Sequence, residues 1–97
     1  MRIKKEDIIS IKNITKECFG NNAEVYLFGS RVDGQKKGGD IDLYIETDMK
    51  NDVFKQKLKM LGMLYKALGE QKIDIVINNF INDKFIYQVA KNEGIQL

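Results

Sequence analysis

Apolar residues recur along this chain with two different periods. From Lys5 to Gly20, KEDIISIKNITKECFG places Ile8, Ile11, Ile14 or Thr15, and Cys18 or Phe19 at helical spacing, and Gly20 then stops the run. AEVYLFG follows, short and β-prone from Val25 to Phe28, which reads as a buried strand. DIDLYIE alternates strictly, with Ile41, Leu43 and Ile45 on one face and Asp40, Asp42 and Tyr44 on the other. Between these strands, GSRVDG could open a short helical turn, and QKKGG has no apolar period and reads as loop.

Helical spacing returns from about Asp52 to Leu68, with Phe54, Leu58, Leu61, Tyr65 and Leu68 as the main stripe and Gly69 as the stop. Val53, Met60, Met63 and Leu64 widen the apolar arc beyond what one helix on a small sheet usually needs, so some of them are expected at an interface. KIDIVIN alternates again: Ile73, Ile75 and Ile77 face one way, Asp74 and Val76 the other. NDKFIYQVAKNEG reads as a capped helix with Phe85, Ile86, Val89 and Ala90 inward and Gly94 as its end. Ile95 and Leu97 in the tail are expected to add to the interface patch.

The order is α-β-(short α)-β-α-β-α. It predicts an α/β (α+β) fold: one small mixed β-sheet with helices packed mainly on one face. Whether the central pair of strands is antiparallel stays open, because the segment from Gly29 to Gly39 is long enough for either connection. Ninety-seven residues suffice for a single domain over 1–97 with one modest core. Hydrophobic residues make up 43% and charged residues 31%, a globular balance. A net charge of +2 gives no reason to expect nucleic acid or an anionic membrane as partner. No apolar stretch reaches the roughly 20 residues of a membrane span, the N-terminus is too charged for a signal peptide, and one cysteine makes no internal disulfide. A cytoplasmic location is expected.

The chain has no histidine. This removes the usual neutral-pH base, serine–histidine pairs and histidine-based zinc sites, leaving carboxylates, hydroxyls, lysines and an oxygen-loving metal. Asp40 and Asp42 project from one strand face, with Cα atoms roughly 6–7 Å apart. Asp74 has the same phase on its own strand, so pairing of the two strands would gather three carboxylates. Three negative charges at close quarters need a positive partner. Mg²⁺ suits an all-oxygen site, and two such ions roughly 3.5–4 Å apart would clamp a phosphoryl or nucleotidyl transfer. For an isolated D-x-D, a solvated strand face is the commoner reading; the third aspartate in phase brings the two to even.

Gly29-Ser30 directly follows a strand. Glycine lets a phosphate approach the backbone, and a helix start with a serine hydroxyl attracts anions; alone, the pair would more often be a turn with Ser30 as a cap. Arg31, Lys36 and Lys37 could neutralise phosphates, Arg31 being best placed.

The combination GSR-x-x-G…GGDIDL, with a later in-phase aspartate, resembles the DNA polymerase beta-like nucleotidyltransferase superfamily, and the length resembles its minimal nucleotidyltransferases. Gly39 stands where many relatives have serine. The resemblance implies that Asp40, Asp42 and Asp74 ligate two Mg²⁺ ions, that Gly29 and Ser30, with Arg31, hold the donor's phosphates, and that Asp74 helps deprotonate the acceptor. It further implies ATP as donor, and a HEPN-domain helical protein, commonly a toxin, as partner and acceptor, with the chain as its antitoxin. Little sequence after Asp74 is left to build an acceptor surface, which favours a protein acceptor and leaves room for a second copy. Two alternatives stand beside this reading: a non-catalytic module that neutralises a toxin by occlusion, and a small-molecule enzyme resembling those that modify aminoglycosides.

Overall fold

A computed structural model describes residues 3–29, 40–69 and 71–97. Helix α1 spans Lys5–Phe19, strand β1 Glu24–Phe28, β2 Ile41–Glu46, helix α2 Val53–Leu68, β3 Ile73–Asn78, α3 Phe85–Glu93 and β4 Ile95–Gln96. The short helix expected after Gly29 falls outside the described residues.

Both α1 and α2 end as their glycines require. Gly20 and Gly69 take positive φ and return an N–H to the last turn, at Lys16 O and Tyr65 O. The four strands form one mixed sheet in the order β3-β2-β1-β4. The orientation left open by the sequence is antiparallel: β1 pairs with β2 from Glu24↔Glu46 to Phe28↔Asp42. β2 and β3 are parallel, as a strand–helix–strand connection allows, and Asp42 lies directly beside Asp74.

Helices α1 and α2 cover one face. Ile11, Ile14, Cys18 and Phe19 of α1 and Met60 and Leu64 of α2 pack on Leu27, Ile41, Leu43 and Ile75. Burial raises the Cys18 thiol above its ordinary pKa, and its Sγ lies 3.8 Å from Met63 Sδ, so it behaves as a small apolar filler. The opposite face carries α3 and a tyrosine ladder: Tyr44 lies 5.7 Å from Tyr26 and 5.9 Å from Tyr87, centroid to centroid. Two of three helices thus share a face, as expected.

Three expectations are corrected. On α2 the expected core stripe holds only in part: Leu61 and Leu68 pack against the core, but the deepest residues come from the other arc. Met60 and Leu64 are fully buried, while Phe54, Leu58 and Tyr65 of the supposed core stripe are exposed. Both arcs repeat at helical spacing, one residue apart, so periodicity alone could not say which faces the sheet. On α3 Ala90 is buried as expected, but Tyr87 is its inward companion, while Phe85 is 78% exposed and Ile86 39%. Stacking of Tyr87 on Tyr44 sets that rotation, and the residue before the helix, Lys84, makes no side-chain cap. Of the tail residues expected to extend an interface patch, Ile95 is exposed but Leu97 is not free for it: Ile95–Gln96 is a strand, paired antiparallel with β1 at Leu27 and Tyr26. Leu97 donates its N–H to Val25 O at 2.9 Å and packs against the core.

Candidate active site

Parallel pairing of β2 with β3 places the beginnings of both strands side by side. Residue alternation then turns Asp42 and Asp74 to one face, the face that carries Tyr44 and Val76 further along. Asp40, two residues before Asp42, shares that direction. One carboxylate oxygen from each of Asp40, Asp42 and Asp74 lies within 4.8 Å of the other two. Asp40 and Asp42 are half-buried and Asp74 is exposed, so the cluster opens to solvent on the β3 side.

The electrostatics are those of crowded like charges. Desolvation, then the negative charges of Asp74 and Asp40, push the Asp42 carboxyl above its usual range. Lys72 is the nearby cation that opposes the shift. Its Nζ lies 3.4 Å from Asp40 Oδ2, and that contact raises its own pKa. Sequence reading missed Lys72; its place two residues before Asp74 was the available signal, because that spacing returns a side chain to the same face.

Gly29 completes the geometry from the other strand. It follows Phe28, the register partner of Asp42. Its φ is +75°, and a Cβ there would run into the Asp42 carboxylate. The backbone therefore crosses directly over an acidic side chain, a path open only to glycine. Ser30 and Arg31, expected with Gly29 as phosphate binders, lie outside the described residues, as do Lys36 and Lys37.

Below the carboxylates, Tyr44 braces the sheet. Its hydroxyl donates to Glu46 Oε2 at 2.8 Å and accepts from Asn78 Nδ2 at 3.0 Å. Burial pushes this phenol up to about 12. Asn78 Oδ1 in turn accepts the Phe80 N–H at 2.9 Å, which ties the end of β3 to the same brace.

An all-carboxylate donor set of this span suits a hard divalent cation such as Mg²⁺ or Mn²⁺, and the excess negative charge gives such an ion a reason to bind. Three carboxylates at the starts of neighbouring parallel strands, under a glycine bend from a third strand, are what a nucleotidyl-transferring domain needs. Residues 7–97 match the family described as Polymerase beta, Nucleotidyltransferase, and the chain belongs to that family. The comparison with curated proteins gives no match. Among the described residues, no helix is long and apolar enough to cross a membrane.

Proposed function

We propose that the chain transfers a nucleoside monophosphate, with ATP as donor, to a hydroxyl of a partner protein. The observation that carries the reading is the convergence of Asp40, Asp42 and Asp74 within 4.8 Å, beside the glycine that must pass over them. Two Mg²⁺ ions, held by the three aspartates, would neutralise the triphosphate and polarise the phosphorus under attack.

The residues divide the remaining work by position. Asp40 and Asp42, half-buried, are the fixed part of the cation site. Asp74, the exposed member, meets the incoming acceptor and takes part in removing its proton. The acceptor oxygen forms a bond to the α-phosphorus as the bond to the β-phosphate oxygen breaks. Pyrophosphate leaves, and the hydroxyl proton passes by way of Asp74 to solvent. Gly29 keeps the space over Asp42 clear, and Ser30 and Arg31 take the β and γ phosphates.

The acceptor in this reading is a HEPN-domain helical protein acting as a toxin in the cytoplasm, with the chain as its antitoxin. Support comes from the resemblance in sequence and from the exposed apolar side chains of Phe54, Leu58 and Tyr65 on α2, which suit a protein surface better than a small molecule.

The test incubates the protein with Mg²⁺, labelled ATP and the helical protein encoded beside it. Label should pass to that protein, and Asp42→Asn should reduce transfer by more than about 100-fold while the fold is retained. Wild-type labelling by Asp42→Asn would remove the catalytic assignment. Toxin neutralisation that survives the loss of Asp40 and Asp42 would favour occlusion.

A further inference from the structure

Strand β3 lies at the edge of the sheet, and among the described residues nothing pairs with its outer side. Lys72 O and Asn78 O accept N–H groups from Ile41 and Thr47, at 3.0 and 3.1 Å, on the β2 side. In a parallel ladder the alternation then turns the backbone groups of Ile73, Ile75 and Ile77 outward. Six residues long and reading IDIVIN, β3 carries no proline and no lysine. Lysine and proline are two of the devices that normally keep an edge from recruiting another chain, and the one charge on β3, Asp74, lies near its start beside the other acids. The opposite edge, β4, is protected by being only two residues long.

A groove runs along this edge. Ile75 and Ile77 belong to the face under α2, while Val76 belongs to the face under α3. One concavity touches all three, so it wraps the edge instead of lying on either face. Its walls are the first turns of the two helices: Val53 and Phe54 from α2, Ile86 and Tyr87 from α3. Lys57 and Lys84 stand on its two sides, and among the described residues its lining holds no acid.

We infer that this edge accepts an extended, acid-bearing segment of a partner protein as a fifth strand. Main-chain pairing with Ile73, Ile75 and Ile77 would supply affinity, and alternate side chains would enter the walls on either side. The two lysines select carboxylates. They also disfavour a second copy, because a two-fold pairing of β3 with itself would set like residues, lysines included, on a shared rim. The groove begins at Ile75, the residue after Asp74, so a segment seated there holds its own protein within reach of the carboxylates. The inference rests on the protein-acceptor reading for its purpose but not for its geometry.

The test reads binding, so it succeeds or fails whatever the labelling experiment gives. The whole protein is immobilised and used to select from displayed random peptides about a dozen residues long, enough to exceed one strand. Enriched peptides should combine β-branched residues with Asp or Glu placed on both faces of the added strand. A synthesised winner should shift and protect the amides of Ile73, Ile75 and Ile77 in NMR. Lys57→Glu combined with Lys84→Glu should weaken it by about tenfold or more, and Phe54→Ala should weaken it independently. Both variants are surface changes, and circular dichroism checks that they fold. Three results would overturn the inference: no enrichment over background, winners lacking acids or mapping elsewhere, or an edge already filled by self-association in sedimentation.

Discussion

At the scale of single residues, the site sets function against stability. Asp42 is half-buried, with a carboxylate oxygen of each of two further acids within 4.8 Å. Without a cation this arrangement disfavours the folded state, because like charges and desolvation both penalise ionised Asp42. Asp42→Asn keeps the shape and removes one charge. The metal-free variant should therefore melt a few degrees higher than wild type in EDTA, and Mg²⁺ should raise its melting temperature less than it raises that of wild type. Calorimetry with and without Mg²⁺ measures both. Gly29 shows the opposite dependence. Gly29→Ala forces a side chain into left-handed backbone at φ +75° and against the Asp42 carboxylate. It should lose about 1–2 kcal/mol from the backbone alone, visible as a lower denaturation midpoint, and it should depress transfer by displacing Asp42.

At the scale of elements, α2 gives the sharpest test of the packing. Leu64 has no exposed surface, whereas Phe54 is 69% exposed. Leu64→Ala should cost about 2–5 kcal/mol by transfer and cavity terms. Phe54→Ala should stay within about 0.5 kcal/mol, although phenylalanine is the larger side chain. Urea unfolding of the two variants decides between the two arcs. The same helix marks where sequence reading stopped. Strands β2 and β3 were legible because alternation has period two, and it fixed which face Asp42 and Asp74 share. Helix existence and ends were legible at Gly20 and Gly69. The rotation of α2 and α3 was not, because each carries apolar residues around more than half its girth and only the tertiary partner, such as Tyr44 beneath Tyr87, selects the buried arc. Strand β4 was illegible for a different reason. Two residues hold no period, and their conformation comes entirely from pairing with β1. The three aspartates of the candidate site were readable, since strand phase alone aims them; Lys72 was not singled out, since a lone lysine before a strand is usually solvent-facing.

At the scale of the whole molecule, the buried brace beneath the carboxylates predicts how the fold fails in alkali. Tyr44 ionises at about 12 when folded and at its ordinary value of 10.0 when unfolded. The unfolded chain therefore loses its proton first as pH rises. The stability Tyr44 contributes is whole below pH 10, and it drains away as pH climbs towards 12. The loss should reach about 2 kcal/mol across that window. Tyr44→Phe should flatten the alkaline limb, although it starts from lower stability because Asn78 loses its partner. Unfolding curves collected across this range check both the sign and the slope.

The chain contains four tyrosines and no tryptophan. Three of the four, Tyr26, Tyr44 and Tyr87, stack in one row on the face that carries the aspartates. Most of the chain's ultraviolet chromophores therefore sit on the face of the candidate site. A cation or nucleotide that binds there should perturb the tyrosine ultraviolet signal, which a titration reads with no dye attached and no residue exchanged.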